Sequence, residues 1–326
     1  MDILVYEHIL GEEFSDKSSS LILHEAILIA KFLIKDFAEL YPNSKISLLA
    51  NKKNKKFFSD INIEYRDYNL KLVDDIAKTH KRYKNVLILA PEENMVMFNL
   101  VKNLENKGIN LINCNSDFIK TTTCKKNTYK FMQTSKEHLI NSYLDYKEIP
   151  SKKKIVAKIS DGLGSGDLYI FKNRNDLEDN IAVLTKKHFF QDYKEGKIIS
   201  INIVSNKKKF KIISINEQIY EHKCSNEISL KEIFIGKYNH MNIEFKLFTQ
   251  SVMNNFDGEY GFFGIDAILD KNNNIFLLEI NPRLTTSYIG LRSSLGFNPA
   301  ILLEDIDHKF NINDNKIFLE KIKNER

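Results

Sequence analysis

The chain has 326 residues, 43% hydrophobic and 28% charged, enough for two or three compact domains with an ordinary polar surface. Its 48 basic and 43 acidic residues leave a formal charge of +5, too small an excess for this length to call for a nucleic-acid partner. Cys114, Cys124 and Cys224 show no CxxC pair and no ligand spacing, which argues against a disulfide framework or a structural zinc site and fits a reducing compartment. The first residues, MDILVYEHIL, read as a strand and not as a signal peptide, and no apolar run approaches membrane-spanning length, so a cytoplasmic protein is expected.

Residues 1–115 alternate strand and helix signals. Ile3 to Tyr6 is a short apolar strand, Ser18 to Ser20 offers an N-cap, and Leu21 to Leu40 runs at helical period. Lys45 to Ala50 reads as a second strand, Leu70 to Lys81 as a helix, and Asn85 to Ala90 as a buried strand. Pro91-Glu92-Glu93 opens a helix that Gly108 ends, and Ile109 to Asn113 is a further strand. Such alternation predicts a mostly parallel sheet covered on both faces. Short helices follow over Ser116 to Tyr143, then strands at 154–159, 167–171 and 188–193 around a helix near Asp176 to Leu184. From Lys197 the pattern becomes hairpins, at 197–204, 208–215 and 217–222, broken at Asn206 to Lys208 and at Asn216. Met241 to Asn255 is predicted helical, and the polar tail from Asp307 reads as a frayed helix.

Two segments carry chemistry. The first is Asp161-Gly162-Leu163-Gly164-Ser165-Gly166, set between two strand-like runs. Its glycines let backbone N–H groups approach an anion, Ser165 adds a hydroxyl, and Lys158 precedes the loop as a point charge. Taken alone, a glycine-rich hairpin turn explains it equally well. The second is GFFGIDAILD-KNNN-IFLLEINPR, two apolar runs flanking Lys271 to Asn274. If Asp270 faces Ile275 across this turn, Asp266 faces Glu279, and Asn281 points the same way two residues on. Like charges opposed on a sheet repel. Two carboxylates and a carboxamide in so apolar a hairpin are a hard-oxygen set suited to Mg²⁺, or Mn²⁺, carrying phosphate. With that hairpin downstream, the phosphate reading of the glycine loop is favoured.

The ordered motifs resemble the ATP-grasp superfamily. They are Lys126 in TTTCKKNTYKFM, Lys158 in VAKISDGLGSG, the stretch QDYKEGKIISINIV, GFFGIDAIL, and FLLEINPRLTTSYIGL. The resemblance implies α/β and α+β architecture in three domains. These are an N-terminal α/β domain (1–115), a small lid (116–194), and a C-terminal antiparallel-sheet domain with the metal site (195–326). It implies that Lys126, Lys158, Gly162, Gly164, Ser165 and Gly166 contact the ATP phosphates. Gln191, Asp192, Tyr193 and Lys194 would form the adenine hinge, with Glu195 standing in for a ribose acid. Asp266, Glu279 and Asn281 would hold metal, and Arg283 would meet the transferred phosphate or the acyl-phosphate intermediate. One departure is that the first lysine usually follows an acid, whereas Lys125 precedes Lys126 here.

Within the superfamily the chain is most similar to archaeal tyramine–L-glutamate ligases of methanofuran biosynthesis, through Tyr6-Glu7, the Ser20/Glu25 helix, Ala90-Pro91-Glu92 and Asn281 to Tyr288. The implied activity is an ATP-dependent carboxylate–amine ligase working through an acyl phosphate, on small-molecule substrates, with no nucleic-acid or membrane partner. A homodimer is compatible with this. Alternatives are an amino acid–amino acid ligase and a non-catalytic nucleotide-binding protein. Thr285, Thr286, Ser287, Tyr288 and Arg292 are candidates for the acceptor pocket, with packing an equal alternative for Tyr288 and Arg292.

Overall fold

The computed structural model describes residues 1–12, 20–160, 168–184, 187–207, 209–224, 227–257, 259–312 and 315–318. The N-terminal part contains β1 (Ile3–Glu7), α1 (His8–Gly11), α2 (Ser20–Leu40), β2 (Ile46–Ala50), β3 (Ile63–Tyr65), α3 (Leu72–His80), β4 (Asn85–Leu89) and α4 (Val96–Asn106). Its sheet is parallel in the order β3-β2-β1-β4. β1, β2 and β4 are buried at every position, as apolar runs covered on both faces must be. The strand expected at 109–113 is reduced to a bridge between Val86 and Leu111. Asn113 explains the shortening. Its side chain replaces the next rung, accepting from Ile88 N–H at 2.9 Å and donating to Ile88 C=O at 2.7 Å.

Next come α5 (Ser116–Thr123), α6 (Lys125–Phe131), β5 (Ser142–Tyr143), β6 (Ile155–Ile159), β7 (Tyr169–Phe171), α7 (Arg174–Asp179) and β8 (His188–Asp192). The four strands form an antiparallel sheet in the order β5-β8-β6-β7. Period-two alternation sends Ile155, Ala157 and Phe190 into a small core with Ile149, Phe171 and Leu177, which leaves Lys158 and Phe189 on the opposite face.

The remainder is β9 (Lys197–Lys207), β10 (Lys209–Cys224), β11 (Glu227–Ile235), α8 (Asn242–Met253), β12 (Glu259–Leu269), β13 (Ile275–Asn281), α9 (Tyr288–Leu295) and β14 (Asn315–Phe318). They build a six-stranded antiparallel sheet, β13-β12-β9-β10-β11-β14. Two expectations are corrected here. β10 runs unbroken through Asn216, because the buried carboxamide accepts Gly236 N–H at 3.0 Å and so sits inside the sheet. Within the tail, 315–318 adds an edge strand beside β11 where a helix was expected.

The large sheet shares its cores with the N-terminal sheet. On one face, α2 and α9 join Ile3 and Val5 to Val204 and Phe262. On the other, α4, α5 and α8 join Leu4 and Ile88 to Ile201 and Ile265.

Candidate active site

The β12–β13 hairpin brings Asp266 opposite Glu279 and Gly264 opposite Asn281. The loop differs from the expectation. Leu269, not Asp270, faces Ile275, so five residues, Asp270 to Asn274, make the turn. Asp270 caps it by accepting N–H bonds from Asn272 and Asn274 at 2.9 and 3.0 Å, and Asn273 takes a left-handed φ of 62°. A bulge between the Asp266 and Ala267 rungs then restores the pairing further along the hairpin.

Asn281 Nδ2 donates to Asp266 Oδ2 at 3.0 Å. Asp266 Oδ1 is buried without a hydrogen-bond partner among the described residues. A buried, orphaned carboxylate oxygen beside a second carboxylate is costly unless a cation fills the gap, so the donor set fits a hard divalent ion. Burial and the charge of Glu279 push Asp266 up. Burial also works against ionised Glu279, but the Lys125 ammonium overrides it and holds Glu279 below its usual value.

The ammonium that reaches Glu279 belongs to Lys125, at 2.8 Å from Oε2, with the two side chains 10% and 20% exposed. Burial would lower Lys125, yet Glu279 raises it above its usual value. Lys126, one residue on, contacts Ser160 Oγ through its backbone N–H at 3.2 Å, and Lys125 N–H donates to Ser160 C=O at 2.8 Å. The first turn of α6 is thereby fixed to the end of β6, and that register selects which lysine points inward. Lys158, on β6, is buried with its ammonium 5.5 Å from the Phe189 ring centre. Burial, helped by the Lys125 charge, pulls it down to about 8. Gly162, Gly164, Ser165 and Gly166 lie outside the described residues.

At the hinge, Gln191 is buried and donates to Ser142 Oγ at 2.8 Å. The Asp192 carboxylate accepts from Tyr143, Asn141 and Lys153 at 3.0, 3.2 and 3.3 Å. The N–H groups of Asp192 and Tyr193 are engaged by the carbonyls of Asn141 and Lys154. Lys154 stacks on the Tyr193 ring at 3.6 Å, and Lys194 on Phe276 at 3.8 Å while pairing with Asp270 at 3.1 Å. A cavity of about 280 Å³ opens here, lined by Ile140, Lys154, Tyr193, Lys194 and Phe276 among others. Glu195 is exposed to solvent.

Arg283 Nε pairs with Glu92 Oε1 at 2.8 Å. Burial opposes its charge, but Glu92 and then Glu25 hold it above its usual value. Glu25, on α2, also accepts the Thr286 hydroxyl. Glu7, the last residue of β1, is pushed up to about 7 by burial, with Arg283 opposing and Glu25 adding to the rise. Glu7 ends β1 and Glu92 lies three residues past β4, at the carboxyl ends where the strand order reverses, the usual crevice for ligands in open α/β sheets. Glu92 thus pairs with the guanidinium, while Glu25 and Glu7 act on it only through charge.

The acceptor-pocket candidates divide. Tyr288 is buried and donates to Asp36 Oδ2 at 2.8 Å, and Arg292 bonds Asp36 at 2.7 Å and Glu39 at 2.6 Å, so both serve the α2–α9 contact. Beyond the expected residues, Tyr220 feels the carboxylates of both Asp266 and Glu279. Burial, then Asp266 and Glu279, raise its hydroxyl above the usual range. Its position on β10, two strands from Asp266, gave no local signal. Among the described residues there is no group of three or more His, Cys, Asp or Glu positioned for a metal.

A family model described as an ATP-grasp domain matches residues 105–287. Two curated proteins named tyramine–L-glutamate ligase are similar over most of their length. The one from Methanocaldococcus jannaschii is 25% identical, covering 98% of this chain and 94% of its own. The one from Methanocaldococcus fervens is 26% identical, covering 89% of each. Among solved structures, an ATP-grasp superfamily protein from Archaeoglobus fulgidus superposes with a TM-score of 0.74 at 18% identity, over 98% of this chain and 92% of that one. The biotin carboxylase domain of Hydrogenobacter thermophilus 2-oxoglutarate carboxylase, in complex with MgADP and bicarbonate, gives 0.70 at 13%, over 96% and 71%. An L-amino acid ligase from Bacillus licheniformis gives 0.65 at 12%, over 96% and 75%.

Proposed function

The chain belongs to the ATP-grasp family, and on that premise we propose that it is an ATP-dependent ligase joining L-glutamate to tyramine through an amide bond. The observation carrying this reading is the convergence of Lys125, Lys158, Asp266, Glu279, Asn281 and Arg283 on one end of the large sheet, opposite the acidic crevice of Glu7, Glu25 and Glu92. In this reading residues 116–194 form the lid over the nucleotide, 195–326 the body, and 1–115 the acceptor side.

A carboxylate is a poor electrophile at neutral pH. Transfer of the ATP γ-phosphoryl group to it forms an acyl phosphate and releases ADP. A neutral amine then attacks the acyl carbon, the acyl C–O bond breaks, and the departing phosphate carries off the proton that the amine nitrogen gives up. The barrier is mainly one anion meeting another, so positioned cations supply the catalysis. Asp266, Glu279 and Asn281 would hold Mg²⁺, which when bound neutralises phosphate charge. Lys158, buried and easily shed of its proton, gains its full charge beside phosphate. Lys125 leaves Glu279 for a phosphate oxygen, and Arg283 lies towards the acyl group. The carboxylates around Arg283 suit a cationic amine on the acceptor side.

The test is nucleotide turnover with each substrate withheld in turn. ADP and phosphate should appear when ATP, L-glutamate and tyramine are all present, with glutamyl-tyramine found by mass spectrometry. AMP release, or turnover of another acid–amine pair with tyramine and glutamate inert, would replace the reading.

A further inference from the structure

We propose that Asn202 and Gly264 form a seat that positions the Arg283 loop, and so set the rate of the chemical step without touching nucleotide. The inference rests on the ligase reading for the role of Arg283, but the seat itself stands on geometry. Residues 282–287 connect β13 to α9 and carry Arg283 two positions after Asn281. Beneath them, on β9, Asn202 is buried, 5% exposed, and its carboxamide is fully engaged. Nδ2 donates to Ser214 Oγ at 2.9 Å and Ser287 Oγ at 2.8 Å, and Oδ1 accepts from Thr285 Oγ1 at 2.9 Å. Thr285 and Ser287 also meet each other at 2.8 Å. Three hydroxyls from two separate segments therefore converge on one amide, and two of them belong to the loop.

Gly264 supplies the second constraint. In the ladder it lies between Asn202 on β9 and Asn281 on β13, on the face that carries Asp266. A Cβ there would stand 2.6 Å from Thr285 Cγ2, with the next protein atom at 3.7 Å. The loop can lie flat on the sheet because that one position has no side chain. Any side chain must displace the Thr285 methyl, and because the Thr285 hydroxyl is bound to Asn202, turning the methyl away breaks the bond that seats the loop. The candidate metal ligands Asp266, Glu279 and Asn281 are all held by strand pairing, and all three precede the loop in the chain. Nucleotide binding and the chemical step should therefore separate.

The experiment compares Gly264→Ala, Asn202→Leu and the double variant Gly264→Ala/Thr285→Ser, which removes the clashing methyl and keeps the hydroxyl. Gly264→Ala and Asn202→Leu should lower kcat at least 10-fold, with the KM for ATP and the calorimetric Kd for ADP with Mg²⁺ within twofold of the parent. The double variant should regain most of the kcat lost in Gly264→Ala. Crystal structures should show residues 283–287 displaced in Gly264→Ala and returned in the double variant. Unchanged kcat in the single variants, loss of ADP binding in parallel with kcat, or no recovery in the double variant overturns the seat. If the parent protein turns over no ATP with glutamate and tyramine, the ligase reading fails separately. The displaced and returned loop then decides the seat alone.

Discussion

Replacing Lys125 with Met tests the electrostatics of the hairpin. The Lys125–Glu279 pair spans 2.8 Å between side chains 10% and 20% exposed, and Asp266 stands directly opposite Glu279. At an effective dielectric constant of about 20, the gross attraction at this distance is about 6 kcal/mol. The net cost of removing one partner of a buried pair is about 3–5 kcal/mol. Two responses reduce it here. Lys158 regains charge when the neighbouring ammonium is gone, and the carboxylate pair can take up a proton. A loss of about 2 kcal/mol at pH 8 is expected, read as a fall in Tm of about 3 °C. The sign with pH follows from linkage. Without Lys125 the folded-state pKa of Glu279 rises, and stability is lost as pH climbs through it, so the deficit should shrink towards pH 6. Adding Glu279→Gln to Lys125→Met should recover most of the lost Tm, and turnover in Lys125→Met should fall about 100-fold or more. Lys126→Met should leave Tm within about 1 °C and turnover within about threefold, because among the described residues the contact made by this residue is through its backbone N–H. If Lys126→Met silences the protein while Lys125→Met does not, the assignment of the inward-facing lysine is wrong.

Other outcomes follow from the surrounding contacts. Glu7, raised to about 7 from 4.5, keeps its proton when folded, so its contribution is intact below about pH 4.5 and is lost as pH rises to about 7. Glu7→Gln should therefore gain on the parent across that interval by at most about 3 kcal/mol, seen in paired denaturation curves, and parallel curves would refute the buried acid. Glu25→Gln should raise the KM for the amine about 10-fold with the KM for ATP unchanged. The reverse pattern in steady-state kinetics would move Glu25 out of the acceptor side. Tyr288→Phe removes one hydrogen bond to buried Asp36 and should cost about 1–2 kcal/mol in thermal denaturation with kcat within twofold. A 10-fold loss of kcat would return Tyr288 to the acceptor pocket.

Much of the candidate site could be read along the chain because its parts are local. Period-two alternation and a polar turn put Asp266 and Glu279 together, and the pairing emerged through two errors that cancel, a loop one residue longer and a bulge. Which of Lys125 and Lys126 points inward was not legible, because it depends on where α6 is pinned to Ser160 thirty-four residues later. Tyr288 and Arg292 could not be separated from pocket residues without their partner Asp36, some 250 residues away. Glu7, Glu25 and Glu92 stood out through the family resemblance, but their meeting around Arg283 is a product of tertiary packing. The edge strand at 315–318 had no alternating apolar pattern to announce it, since an edge needs burial on fewer sides.

Helix α2 has a quieter consequence. It receives Thr286 at Glu25 and Tyr288 with Arg292 at Asp36, so a single rigid rod gauges the spacing of two points on the opposite half of the molecule. Eleven residues separate these docking points, close to three whole turns and about 16 Å, which keeps both on one side of the rod. One added residue between them would swing Glu25 by about 100° away from Thr286 while Asp36 stayed seated. The length of that interval is therefore a dimension of the candidate site, held by a segment that need never meet a substrate.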